Sequence, residues 1–297
     1  MTFQLHSNTY AVIGDPVSRS LSPVMHNAAY EVAGLDLHYI AHRVTREGLA
    51  SQIAPLTERF AGFNVTMPLK EEMAALMDEL SPEARAAGSV NTVTVTDGGR
   101  LRGASTDGAG LLAALARAGA GHLERAVVLG TGGAARAAAA ALMQAGASVS
   151  VVGRNWDTGT NLAVQLREHR TAASGDIRFV HRREHSALVL MRLLRDANLL
   201  VNATPLGGVG HETESPLPVG VLPQASTVVC DMISVPCRTP LLEACARAGC
   251  RTIEGVEMLI EQGARSFEIW TGRDAPVAAM RDAARAALAH SERALRV

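Results

Sequence analysis

The sequence predicts an α/β fold built as two α/β domains, and three observations support this. Short apolar runs alternate with helix-length segments along most of the chain, a βαβα pattern that folds into a mostly parallel sheet with helices on both faces. The strand-like segments fall into two α/β blocks. The length, 297 residues, suits about two domains of roughly 100–200 residues each. Apolar residues make up 47% and charged residues 19%, which supplies a core and excludes disorder as the main state.

In order along the chain, Tyr10–Ile13 reads as a strand ending at Gly14-Asp15-Pro16. Ser22-Pro23 opens a helix, with Ser22 expected as N-cap and Pro23 at the first helical position. Leu37–Val44 is a second strand, and a helix follows from Thr45 to about Phe60. Gly62–Thr66 is a third strand, with a helix expected from Pro68. Strands near Val90–Val95 and Leu101–Gly103 flank Asp97-Gly98-Gly99, a hairpin signal. A helix follows Asp107; Ala126–Leu129 is then a strand, followed by an alanine-rich helix and the strand Ser148–Val152. Further strands are expected at Ile177–Val180, Leu199–Asn202 and Val228–Asp231, and helices at Arg183–Arg195, Pro240–Ala248, Val256–Thr271 and Ala275–Arg296.

Lys plus Arg is 28 and Asp plus Glu 29, for a net charge of −1. This argues against a broad electrostatic footprint for nucleic acid or anionic membrane. Aromatics at 3% leave few platforms for stacking single-stranded bases. The uncharged stretch Ala137–Gly153 is shorter than the ~20 apolar residues of a membrane span and reads as helix end, turn and strand. The N-terminus carries neither a basic nor an apolar signal region, so a cytoplasmic location is expected. Cys230, Cys237, Cys245 and Cys250 contain no C-x-x-C and are expected as reduced thiols.

Gly130-Thr131-Gly132-Gly133-Ala134-Ala135 follows an apolar strand and opens a helix, the context of a dinucleotide fingerprint. Glycine lets a pyrophosphate approach the backbone, and the helix N-terminus offers unpaired N–H donors and partial positive charge. At the end of the next strand, Arg154 is placed to pair with a 2′-phosphate, favouring NADP, while Asp157 could instead take a ribose hydroxyl, as in NAD binding.

Ordered motifs running from Gly14 to Pro276 carry a resemblance. They are Gly14-Asp15-Pro16, Ser20-Leu21-Ser22-Pro23 with His26-Asn27, Asn64-Val65-Thr66-Met67-Pro68-Leu69-Lys70, Ser89-Val90-Asn91-Thr92, Ser105-Thr106-Asp107-Gly108, the glycine loop, Asn202-Ala203-Thr204-Pro205, Gly255-Val256-Glu257-Met258 with Gln262-Gly263-Ala264, and Trp270-Thr271-Gly272. On these the chain resembles the shikimate dehydrogenase family, including its quinate/shikimate branch. The resemblance implies a discontinuous substrate-binding and catalytic domain, residues 1–107 and 256–297, and a Rossmann-like NAD(P)-binding domain, residues 108–255. It implies a hydroxycyclohexene carboxylate substrate, NADP or NAD as cofactor, and a monomer or homodimer.

Ser20 and Ser22 then match the carboxylate clamp, since hydroxyls and helix-end amides suit an anion. Thr66, Asn91 and Gln262 match positions that hold ring hydroxyls. Plainer readings stand beside them: Ser22 as N-cap only, Asn91 as the anchor of a turn, Gln262 as a solvated helix residue. Lys70 and Asp107 match the catalytic pair, which also touches the substrate. Hydride removal from an alcohol leaves a proton to be taken. Either Lys70 acts as base after losing its own proton or Asp107 takes part; in the reducing direction Lys70 serves as general acid. Gly130, Thr131, Gly132, Gly133, Ala134, Arg154, Thr204, Met232, Gly255 and Met258 match the cofactor side.

Two departures bear on specificity. Ser234 stands where members of the family often carry a tyrosine, leaving shikimate, quinate and related acids open. The second arginine of the usual 2′-phosphate motif is missing. His181-Arg182-Arg183-Glu184-His185 matches a zinc-peptidase pattern but falls at an expected strand–helix turn, so no metal is expected. A nucleotide-sensing protein without turnover is the alternative of another class.

Overall fold

In a computed structural model, residues 7–121, 123–182 and 186–294 are described. The chain divides into two units: residues up to Thr106 with those from Ile260, and Asp107–Leu259 between them.

The first unit begins β1 (Thr9–Gly14), α1 (Ser22–Val32), β2 (His38–Arg43), α2 (Leu49–Arg59), β3 (Gly62–Val65) and α3 (Lys70–Ala75). It continues β4 (Glu79–Leu80), α4 (Pro82–Ala87), β5 (Thr92–Val95) and β6 (Leu101–Ala104). Its sheet is ordered β2-β1-β3-β5-β6-β4. β1 runs parallel to β2 and β3; β5 turns the sheet antiparallel against β3 and β6. The expected hairpin is present, with Gly98 and Gly99 at φ +90° and +78°, values only glycine adopts freely. Ala11, Ile13, Phe63, Leu69, Met73 and Val93 form the buried centre.

Ser22 is not the N-cap of α1. Leu21 holds that place, Ser22 is the first helical residue, and the Ser20 hydroxyl accepts its N–H at 3.3 Å. The N-cap position itself carries no side-chain cap bond. Pro68 does not open a helix either: the Met67–Pro68 bond is cis, and α3 starts at Lys70.

The second unit holds α5 (Asp107–Arg117), β7 (Arg125–Leu129), α6 (Gly133–Gln144), β8 (Ser148–Gly153), α7 (Trp156–Glu168), β9 (Ile177–His181) and α8 (Ser186–Arg195). β10 (Leu199–Asn202), β11 (Val228–Asp231), α9 (Pro240–Arg247) and β12 (Arg251–Ile253) complete it. α10 (Gly255–Thr271) starts here and ends in the first unit, which also holds α11 (Val277–Ala294). All six strands are parallel, ordered β12-β11-β10-β7-β8-β9. Central strands buried on both faces explain the unbroken apolar runs Ala126–Leu129 and Leu199–Val201. The alanines of α6 let helices approach closely: a Cβ on Gly108 of α5 would stand 2.7 Å from Ala141 Cβ.

The sequence reading omits α7, β4, α4 and β12. Gly159 and several short polar residues mask α7 by lowering helix propensity. Glycine is required there, because the Phe179 ring occupies the place of its Cβ. The signals that mark α7 are its cap, with Asn155 Oδ1 accepting from Thr158 N at 2.9 Å, and Asp157 in the first turn. β4, β12 and α4 span at most six residues, too few for a periodicity to show. Arg183, Glu184 and His185, expected at the start of α8 and in the zinc-like pattern, and Arg296 of the last helix lie outside the described residues.

Candidate active site

In the second unit the groups expected to meet a cofactor gather at the carboxyl ends of the parallel strands. From β9 to β12 the order is that of a doubly wound nucleotide-binding sheet, and its switch point lies between β7 and β10, where ligands bind in such sheets. Gly130 follows β7 at φ +115°, and a Cβ there would stand 2.8 Å from Ala203 O at the end of β10. Thr131 packs against Gly153, and Gly132 is the N-cap of α6, with Gly133 and Ala134 as its first residues. The open backbone and α6 N-terminus fit a pyrophosphate. Arg154, at the end of β8, is exposed, and its carbonyl lies 3.0 Å from His181 Nε2.

The β10 and β11 ends are tied by buried side chains. Thr204 donates from N and Oγ1 to Asn202 Oδ1 at 3.0 and 2.7 Å. Asp231 accepts from Asn202 Nδ2, Ile233 N and Thr239 Oγ1 at 3.0, 3.1 and 2.7 Å. Burial pushes its carboxyl up to about 6, against the pull of those donors. This holds the segment with Met232, and α10 packs on it: a Cβ on Gly255 would lie 2.3 Å from Ile233 O. Met258, one turn on, is buried.

In the first unit the site is made of side chains. Gly14, at φ +152°, lies against Thr66, and Thr66 N donates to Ile13 O at 2.8 Å, so the loops after β1 and β3 run side by side. Ser20 and Thr66 are half-buried, and Ser22 is buried. Lys70 opens α3, half-buried, and its carbonyl accepts from Val90 N at 2.9 Å. Asp107, the first residue of the second unit, is buried at the first turn of α5.

Asn91 and Gln262 meet. The N–H of Thr106 donates to Asn91 Oδ1 at 2.7 Å, which fixes the amide, and Asn91 Nδ2 donates to Gln262 Oε1 at 3.0 Å. Behind them, Asn64 Nδ2 donates to Asn91 O and to Ser266 Oγ, both at 2.9 Å, and Thr92 Oγ1 and Ser266 Oγ lie 2.8 Å apart. Gln262 at 5% and Asn91 at 2% exposure exclude the plainer reading of a solvated helix residue and go beyond the needs of a turn. The sequence reading did not single out Tyr39, Asn64, Thr92, Thr106 and Ser266 as site residues. The available signal was spacing: Ser266 lies one helical turn after Gln262, on the same face.

Among the described residues no group of three His, Cys, Asp or Glu is placed to hold a metal, and no helix is long and apolar enough to cross a membrane. The four cysteines are buried thiols, none of them in a disulfide.

The parallel sheet with its glycine loop, joined in one chain to a fixed set of amides and hydroxyls, defines a dinucleotide-binding α/β protein of the dehydrogenase class. Residues 12–93 match the shikimate dehydrogenase substrate binding domain and residues 255–285 the shikimate 5′-dehydrogenase C-terminal domain. The chain is 39% identical over 283 residues to shikimate dehydrogenase (NADP(+)) of Methanopyrus kandleri, covering 93% of this chain and 94% of that one. The crystal structure of shikimate 5-dehydrogenase from Thermus thermophilus, in complex with NADP(H) and shikimate, superposes with TM-score 0.81 at 38% identity, over 94% of this chain and 99% of that one. Quinate dehydrogenase from Corynebacterium glutamicum, in complex with NAD, gives TM-score 0.80 at 27% identity, over 93% and 97% of the two chains. The chain belongs to the shikimate dehydrogenase family.

Proposed function

We propose that the chain interconverts shikimate and 3-dehydroshikimate with NADP, its first unit taking the acid and its second the cofactor. The observation that carries this is the Asn91–Gln262 amide pair, buried and oriented by hydrogen bonds, in a chain that is 39% identical to an NADP-dependent shikimate dehydrogenase. A polyhydroxylated ring needs fixed donors and acceptors, and leaving a buried one unpaired is what rejects a wrong ring.

When bound, the nicotinamide accepts or returns the hydride. The residues of the chain bind, orient and move the proton. Ser20 and Ser22 take the carboxylate; Thr66, Asn91 and Gln262 take ring hydroxyls. Lys70 and Asp107 handle the proton of the reacting hydroxyl, with Lys70 as general acid in the reducing direction. Gly130–Ala134 cradle the pyrophosphate, and Arg154 faces the 2′-phosphate. A cytoplasmic monomer or homodimer, with no nucleic acid partner, completes the reading.

A kcat/KM matrix of shikimate and quinate against NADP and NAD tests it, followed at the reduced-nicotinamide absorbance band. Shikimate with NADP is expected to dominate. Quinate with NAD as the leading pair would move the chain to the quinate branch, and absence of turnover with all four pairs would overturn the enzyme reading in favour of a sensor.

A further inference from the structure

Thr204 and Met232, two of the residues expected to face the cofactor, sit on separate loops, one after β10 and one after β11. One buried side chain, Asn202, ties those loops together. Asn202 ends β10 and is 0% exposed, and its register partner on β11 is Asp231, the last residue of that strand. Asn202 Oδ1 accepts from Thr204 N and Thr204 Oγ1 at 3.0 and 2.7 Å. Asn202 Nδ2 donates to Asp231 Oδ1 and Leu206 O at 3.0 and 3.2 Å. All four hydrogen-bonding positions of the amide are therefore in use. The amide cannot flip, because the Thr204 N–H can only donate and the Leu206 carbonyl can only accept.

Asp231 aligns the donor side of that amide. Its Oδ1 also accepts from Ile233 N at 3.1 Å, and its Oδ2 accepts from Thr239 Oγ1 at 2.7 Å. Thr239 is the N-cap of α9, where its hydroxyl accepts from Leu242 N at 3.3 Å. The carboxylate thus ties the turn through Met232 and Ile233 to both β10 and α9. On the other side, the Ala203 carbonyl, directly after Asn202, is the atom that a Cβ on Gly130 would meet at 2.8 Å. The loop that Asn202 shapes is thereby packed on the glycine loop. Thr204 spends both its N–H and its hydroxyl proton on Asn202, so it meets a ligand with no donor left.

We propose that Asn202 is a positioning residue for the cofactor: its amide, aligned by Asp231, sets the spacing between the loops after β10 and β11. This rests on the reading of the second unit as the one that takes NADP. Asn202 acts through Thr204 and Met232, and its role is in binding, not in moving a proton or hydride. Changing one member of such a buried network leaves the others unpaired, which is what makes the spacing sensitive to a single atom.

The test is Asn202→Asp, which keeps the shape and puts an acceptor where Nδ2 faces Asp231 and the Leu206 carbonyl. The Kd for NADP, read by fluorescence titration, is expected to rise about tenfold or more, while the shikimate KM at saturating NADP stays within about twofold. Adding Asp231→Asn returns a donor to the pair and is expected to recover at least about threefold of the loss, so the two changes combine non-additively. Should Asn202→Asp not fold, Thr239→Val takes one donor from Asp231 on its far side and is expected to raise the NADP Kd about threefold with the same split. An NADP Kd unchanged by the variant that folds, equal losses for NADP and shikimate, or a double variant no tighter than Asn202→Asp would each overturn the proposal and leave the cofactor reading standing. A wild-type chain that binds no NADP would overturn that reading first, and the proposal with it.

Discussion

The two units prepare for their ligands by different means. In the second, the centre of the expected cofactor site is main chain, a glycine loop and a helix N-terminus within one short stretch between β7 and α6, with the ends of β8, β10 and β11 added from further along the chain. In the first, they are side chains drawn from segments as far apart as Asn64 and Ser266, 202 positions along the chain. A backbone cradle tolerates many sequences as long as its glycines stay, whereas a side-chain cluster depends on every member, since a half-satisfied buried network is costlier than none. The contrast explains why one scaffold half can serve a shared cofactor while the other discriminates among rings.

Substitutions can break or sharpen that contrast. The largest effect is expected at Lys70→Ala, with kcat for shikimate falling roughly 10²–10⁴-fold and KM changing little, as for loss of a group that moves a proton. Steady-state kinetics check it, and unchanged turnover would remove Lys70 from the chemistry. Next is Gly130→Ala, where a positive φ of +115° and a carbonyl 2.8 Å from the new Cβ combine. A strain of roughly 1–3 kcal/mol, carried into the bound state, is expected to weaken NADP binding about 5- to 150-fold in a fluorescence titration. The shikimate KM should barely move.

His26 gives a pH signature belonging to the first unit alone. It is fully buried, both ring nitrogens lack a hydrogen-bond partner among the described residues, and burial lowers its pKa from 6.5 to about 3. The unfolded chain therefore binds a proton that the folded chain refuses, so stability is full above pH 6.5 and is lost as pH falls toward 3. The slope is about 1.4 kcal/mol per pH unit. His26→Phe is expected to flatten the fall in Tm over that window; an unchanged slope would show that other groups drive acid unfolding. The smallest effect is expected at Arg154→Ala. Because the side chain is exposed, a loss of about tenfold or less in NADP affinity, with NAD unaffected, is expected by titration calorimetry. Equal losses for both cofactors would refute a 2′-phosphate contact.

The same contrast governs how much the sequence discloses. The glycine loop, its flanking strand and helix, and the Asp97–Gly99 hairpin are legible because each is a local pattern with a local cause. Ser20, Ser22, Thr66, Lys70, Asn91, Asp107 and Gln262 emerge through resemblance, not from spacing. Tyr39, Asn64, Thr92, Thr106 and Ser266 stay hidden because their meaning lies in contacts across the fold: a threonine in a strand pattern reads as surface until a helix from the far end of the chain is laid over it. α7 is hidden for the converse reason, a glycine whose cost to the helix is offset by the Phe179 ring from a neighbouring strand.

All four cysteines lie between Cys230 and Cys250, hence in the second unit only, and every one is buried. Burial also drives the Cys230 and Cys245 thiols up to about 12, so neither is nucleophilic while folded. The chain therefore carries a built-in clock: the rate at which a thiol-specific reagent labels it reports how often the nucleotide-binding half opens, with the other half silent. Adding NADP should slow that clock in proportion to occupancy, a measure of docking that needs neither turnover nor a second substrate.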